Sequence, residues 1–197
     1  MCTKNTIVRC AWVSDDPIYL EYHDTKWGRP NYDSQDLFAK LCLDGQQAGL
    51  SWLTILKKQK NFEAAFLNFD PYRVSEFSES DVERLMQDRG IIRNRLKIQS
   101  VIKNARAYIA LEEQGIAFNE YIWSFVNDKT IQTECRKSED VPVTTNQSDM
   151  MAKSLKKAGF SFVGSTICYA FMQAVGLVND HLTSCSVYDE VRELGRY

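Results

Sequence analysis

Residues 159–178, "GFSFVGSTICYAFMQAVGLV", run for 20 positions without one charged side chain. A bilayer-spanning helix needs about that length, so the segment belongs either in lipid or inside protein. Ser161, Ser165, Thr166, Gln173 and three glycines fall within it, and no second run of this kind occurs in the chain. The segment is therefore read as a buried central helix and not as a membrane span. Such a helix dictates its surroundings, because other elements must cover it with apolar faces of their own.

The remaining sequence supplies helical faces, and no stretch sustains a period-2 strand pattern. In "YDSQDLFAKLCLDG", Asp33 or Ser34 can cap a helix whose Leu37, Phe38, Leu41 and Cys42 stand at helical spacing. "LSWLTILKKQKNFEAAFLNF" supplies another helix or a bent pair, with Lys57, Lys58 and Lys60 on one turn, and Asp70-Pro71 breaks the chain. Ser78 and Asp81 resemble a capping box ahead of Val82, Leu85 and Met86; Gly90 follows, and a long helix runs from about Leu96 to Glu113. "FNEYIWSFV" is a short aromatic helix, residues 127–147 form a polar surface connection, and Ser148 and Gly159 bound the next helix as N-cap and C-cap. The expectation is an all-α fold of about ten helices, one unit over residues 1–197 or two lobes of it, with 44% hydrophobic content to fill the core.

A formal net charge of −2 excludes an indiscriminate polyanion binder, so contact with nucleic acid would require a local basic patch. Lys4, Arg9, Asp15 and Asp16 interrupt the first twenty residues, which lack a signal-like apolar run, and the reading is cytoplasmic. The six cysteines then do not form a disulfide framework: Cys42 and Cys168 look like core residues, and Cys2 and Cys135 have no evident partner.

Three groups of residues carry chemistry. The only two histidines each stand near a cysteine, with twelve residues between Cys10 and His23 and three between His181 and Cys185. Two thiolates and two imidazoles complete a tetrahedral structural Zn2+ shell that would staple the chain ends. The same spacing fits ordinary surface histidines near unrelated cysteines, and the use of every histidine favours zinc. Second, residues 89–111 contain no acid, while Arg89, Arg93, Arg95, Lys97, Lys103 and Arg106 are basic. A glycine turn before a helix exposes N–H groups that hold phosphate, although a solvated basic face has the same composition. Third, Trp12, Tyr19, Tyr22, Trp27 and Trp52 gather near Asp44. Most such aromatics are core, but a carboxylate in an aromatic box binds a flat cationic ring. The intervening corner, "LDGQQAGLSW", reads locally as a helix C-cap followed by a new helix.

Together these segments resemble the 3-methyladenine DNA glycosylase I family of the helix-hairpin-helix base-excision superfamily. The resemblance spans nearly the whole chain, from "RCAWVSDDPIYLEYHDTKWG" through "GQQAGLSWLTILKK", "GIIRNR" and "ARAY" to "GFSFVGSTICYAFMQAVGLVNDH". It implies a helix-hairpin-helix DNA glycosylase fold, its hairpin element at about 79–112, with zinc on Cys10, His23, His181 and Cys185 joining the N- and C-terminal segments. It further implies that Gly90, Ile92, Arg93, Asn94 and Lys97 touch DNA and that Asp44, Tyr22 and Trp52 act on the base, with Tyr19 and Trp27 beside them. Gln47, Gly49 and Leu50 would probe the gap left by a flipped nucleotide. The implied partner is double-stranded DNA containing alkylated adenine, the bound base 3-methyladenine, and the acting species a monomer. Two positions depart from the family pattern: Asp44 stands where glutamate is expected, one methylene shorter, and Ala11 where glycine is expected.

Many helix-hairpin-helix glycosylases place a catalytic aspartate a helix-length after the hairpin, yet the first carboxylate after Asp88 is Glu112. An N3-alkylated adenine is already cationic and leaves as a neutral base, so the expectation is a monofunctional hydrolase without a general base or a lyase step. The alternative, motivated by Asp44, is a non-catalytic zinc-stabilised damage-binding protein of the same fold.

Overall fold

The computed structural model describes residues 7–195; Cys2 and Lys4 lie outside them. Local signals place most helix starts. Asp16 accepts from the Ile18 N–H and Pro17 fills the first turn of α1 (Pro17–Thr25), where a missing N–H costs nothing. Asp33 caps α2 (Ser34–Gln47). The next segment is a bent pair, α3 (Trp52–Leu56) and α4 (Gln59–Ala65). Asp70-Pro71, expected as a break, opens α5 (Pro71–Ser75), with Asp70 accepting from the Tyr72 and Arg73 N–H groups. The Ser78/Asp81 capping box starts α6 (Glu79–Gln87), and α7 (Arg95–Glu112) is the long helix. The short aromatic helix is α8 (Phe118–Trp123).

Two readings need correction. Ser148 does not cap the next helix: α9 (Asn146–Lys157) begins one turn earlier at Thr145, and Ser148 is the reciprocal partner in that capping box. Both residues carry hydroxyls, so composition alone does not choose between them. The central helix, α10 (Ser165–Ala174), covers only half of the uncharged run. Gly159 and Gly176 take positive φ on either side of it, and a Cβ on Gly176 would lie 2.4 Å from the Pro30 nitrogen. α10 is nevertheless the centre, with Cys168, Phe171 and Met172 fully buried and α2 and α9 packed against it.

The core continues through Phe38, Phe62, Phe66, Phe69 and Phe118, each fully buried, a burial that stabilises by roughly 1.5–3 kcal/mol per side chain. α7 packs on α2, α5, α6 and α8. An element without a sequence signature is interspersed among the later helices: β1 (Ile131–Gln132) pairs in parallel with β2 (Val178–Asn179), too short for alternation to be visible. The pairing ties the polar connection to the end of the uncharged run and leads into Asp180 and His181. The last helix is α11 (Tyr188–Leu194). No helix among the described residues is long and apolar enough to cross a membrane.

Candidate functional site

The separated Cys-His pairs converge. Cys10 precedes α1, His23 lies on α1, His181 follows β2 and Cys185 precedes α11. All four are buried, and their ligand atoms lie within 4.8 Å of one another. Cys10 Sγ and Cys185 Sγ each stand 3.6 Å from His181 Nδ1, and Cys185 Sγ is 3.5 Å from His23 Nε2. Tetrahedral bonds of ~2.3 Å to sulfur and ~2.05 Å to nitrogen separate S from N by about 3.6 Å, so the set has the spacing of a closed four-ligand shell.

The outer ring nitrogens are also committed. His23 Nδ1 meets Asp24 Oδ1 at 2.7 Å, where Arg9 also donates to Asp24, and His181 Nε2 meets the Trp27 carbonyl at 3.1 Å. Both nitrogens donate there, which turns the lone pairs of His23 Nε2 and His181 Nδ1 into the cluster. Gly28 permits this approach, since a Cβ would lie 2.9 Å from His181 Nε2. The hydrogen bond between the thiols pushes Cys10 up and pulls Cys185 down, with the imidazoles assisting at Cys185. The two chain ends are also joined directly, Val8 and Ser186 exchanging two hydrogen bonds of 2.8 Å. The four residues could hold a metal ion with no coordination position left for water.

Against this cluster opens a cleft of about 660 Å³, whose lining includes Trp12, Tyr19, Tyr22, Trp27, Trp52, Asp44 and Gln47. Trp12 packs on Tyr19 and Trp27 at the mouth, with ring centroids 5.0 Å apart in both pairs. Trp27 serves both sites, because it lies parallel to the His23 ring and edge-on to His181. Tyr22 and Trp52 face one another at 5.4 Å. Asp44 is buried on α2; its Oδ1 accepts from the Lys40 ammonium one turn earlier, while Oδ2 has no partner in the protein. Trp52 Nε1 is likewise buried without a partner.

Burial pushes the Asp44 carboxyl up and Lys40 down, and each opposes the shift of the other. The Tyr22 phenol is held well above its ordinary range by burial and by Asp44. Lys40 also lies 4.0 Å from the Trp52 ring centroid. It is absent from the sequence reading, although its i,i+4 spacing to Asp44 was a usable signal. Asp180 is missed as well; Tyr169 and Gln173 donate to its Oδ2 at 2.7 Å on another wall of the cleft. Flat aromatic walls and a buried carboxylate with an open oxygen suit a flat cation.

The corner after Asp44 differs from its local reading. α2 continues through Gly45 to Gln47, which places Asp44 inside the helix, not at its cap. Gly49 takes φ +76°, Leu50 is exposed at the tip, and Ser51 caps α3. Gln46 turns inward and donates to the Lys97 carbonyl at 2.8 Å. Lys97 itself, expected to face DNA, is buried. Its ammonium donates to the Gln46 and Ala48 carbonyls at 2.8 and 2.6 Å, satisfying the end of α2, where carbonyls lack helical partners.

The turn joining α6 to α7 is held by Asp88 on the Gly90 N–H, by Lys58 and Asn61 on the Gly90 carbonyl, and by Asn94 capping α7. Ile91 is buried and Ile92 half-buried. Arg95 is engaged by Glu79 and Glu83, and Arg106 donates to the Ser75 and Phe77 carbonyls. Arg89, Arg93, Lys103 and Arg106 are thus the exposed basic residues of the segment, Arg106 with its guanidinium on those two carbonyls.

The methyladenine glycosylase family matches residues 12–188. The chain is 55% identical over 180 residues to DNA-3-methyladenine glycosylase 1 of Escherichia coli (strain K12), covering 91% of this chain and 96% of that protein. It is 50% identical over 177 residues to DNA-3-methyladenine glycosylase of Haemophilus influenzae, covering 90% and 96%. A crystal structure of 3-methyladenine DNA glycosylase I matches with a TM-score of 0.90 at 55% identity, covering 91% of this chain and 98% of that one. The Staphylococcus aureus 3-methyladenine DNA glycosylase I, whose structure addresses 3-methyladenine recognition, matches with a TM-score of 0.88 at 38% identity, covering 90% and 95%. With a pocket suited to a flat cation and identity of this extent, the chain belongs to the methyladenine glycosylase family and is an enzyme of the DNA-3-methyladenine glycosylase I type.

Proposed function

We propose that this enzyme turns an N3-alkylated adenine out of double-stranded DNA and hydrolyses its N-glycosidic bond, releasing 3-methyladenine. The observation that carries the reading is Asp44, buried beside Tyr22 and Trp52 with Oδ2 unpartnered. The cationic purine stacks between aromatic walls and its charged edge meets Asp44. The bond between the base and C1′ of the sugar breaks with its electron pair on the base, which leaves neutral; water supplies the new oxygen on C1′ and its proton goes to solvent. Neutral adenine gains little from Asp44 and is a poor leaving group, so it is spared. No general base is assigned.

Gln47, Gly49 and Leu50 are assigned to the gap left by the turned-out nucleotide, a role supported by the exposure of Gly49 and Leu50 in the turn between Gln47 and Trp52, which line the cleft. The α6–α7 hairpin is assigned as a helix-hairpin-helix grip in which Gly90, Ile92, Arg93 and Asn94 approach the phosphates while Lys97 orients the corner behind them. The metal is assigned as structural Zn2+, which supplies a crosslink between the chain ends and, with four protein ligands, no activated water. The enzyme is read as a cytoplasmic monomer, since one chain carries every residue assigned here. No observation favours the non-catalytic damage-binding alternative. The test is single-turnover release of 3-methyladenine from methylated duplex: the wild type releases it, and Asp44→Asn is slowed with fold and metal content intact. Release at the same rate by both would refute the role of Asp44.

A further inference from the structure

Lys40 is already held by the carboxylate and the aromatic face that the reading above gives to the substrate, on Asp44 Oδ1 beside the open Oδ2. Its ammonium sits on Asp44 Oδ1 and 4.0 Å from the Trp52 ring centroid, so both groups assigned to a cationic purine already hold a cation. Two like charges cannot share one carboxylate and one aromatic face in a poorly solvated cleft without repulsion. A way out exists along the same helix. Asp36 lies four residues before Lys40 and Asp44 four residues after it, and a lysine reaches a carboxylate at either spacing. Asp36 is exposed, and with Lys40, Tyr22, Trp52 and Glu63 it lines a second cleft of about 570 Å³ behind the first.

We infer that Lys40 is an affinity-setting residue, a resident cation that the base must displace from Asp44 and Trp52 and that withdraws along α2 toward Asp36. The inference rests on the proposed pocket. A cationic purine exchanges one positive charge for another on Asp44, whereas a neutral purine would have to remove Lys40 and return no charge. The device lowers apparent affinity for every base by the fraction of molecules in which Lys40 is withdrawn, and only a cationic base regains an ion pair with Asp44 in return.

The test compares binding of 3,9-dimethyladeninium, a permanently cationic purine without a sugar, with that of neutral 9-methyladenine, by calorimetry on the folded protein. Lys40→Met and Lys40→Gln are expected to tighten binding of the cation and of the neutral purine alike, by about tenfold or more, because the competing state is removed for both. Asp44→Asn is expected to weaken the cation. If Asp44→Asn weakens it while both Lys40 variants leave it unchanged or weaker, Lys40 supports the pocket and does not compete for it, and the inference is overturned. If Asp44→Asn binds the cation as tightly as the wild type, the pocket assignment itself fails.

Discussion

In the Cys10, His23, His181 and Cys185 cluster, each histidine's outer nitrogen meets a carboxylate or a carbonyl and its inner one faces sulfur. In the adjoining cleft, Asp44 Oδ2 and Trp52 Nε1 are buried with no protein partner. The two regions share Cys10 and Trp27 as wall, so the difference is not one of location. A buried polar atom left unpaired costs about 1–3 kcal/mol, which a fold tolerates where another molecule is to complete it. Saturation therefore marks the part that holds the chain together, and incompleteness marks the part that waits for substrate.

The comparison breaks most readily at the cluster. Cys10→Ser or His181→Ala should lose bound metal and lower stability by at least ~3 kcal/mol, as buried donors lose their common partner, with activity falling through unfolding. Elemental analysis and urea denaturation check this; freshly purified wild type without stoichiometric zinc would remove the basis of the contrast. In the cleft the order should reverse. Asp44→Asn should keep fold and metal yet slow single-turnover release by about ten- to a thousandfold, the ~1.4 to 4 kcal/mol of one well-placed electrostatic partner. Asp44→Glu should preserve or raise the rate, and Trp52→Ala should match the Asn defect.

A finer contrast lies within the basic segment. Lys97→Ala should cost roughly 1–3 kcal/mol of stability, because two carbonyls at the end of α2 lose their donor. Arg93→Ala should leave the melting temperature unchanged but weaken binding to damaged and undamaged duplex alike, with the salt slope reduced by about one. Equal melting temperatures for the two variants would contradict the inward placement of Lys97. The smallest effect belongs to Ala11→Gly, at an exposed position on the cleft rim, where stability should move by no more than about 0.5 kcal/mol in thermal denaturation.

Helix boundaries were legible wherever the signal was local, as with Asp33, Asp70 and the Ser78/Asp81 box. Thr145 and Ser148 exchanged roles because each can cap, and the choice rests on which turn packs. The candidate metal set was legible from spacing and from the use of every histidine, but its closure to 3.5–3.6 Å depends on β2 and α1 being brought together. Asp180 escaped notice because neither residue type nor neighbourhood distinguishes it from a surface charge, and Lys40 because its one signal, the i,i+4 spacing to Asp44, is equally common on solvated helix faces.

What the sequence by itself determined, then, is most of the helices between residues 33 and 176, the apolar centre and the identity of most groups able to do chemistry, since caps, periods and residue types are properties of short segments; α1, α5 and α11 were not foreseen. Tertiary structure alone decided which charges face water: Lys97 turns inward to the Gln46 and Ala48 carbonyls, Arg95 is claimed by Glu79 and Glu83, and Lys40 rests on Asp44. The physical reason is that a long cationic side chain carries no direction of its own. It goes to whichever unpaired carbonyl or carboxylate the packed helices leave within reach, and those acceptors come together only when the chain has folded.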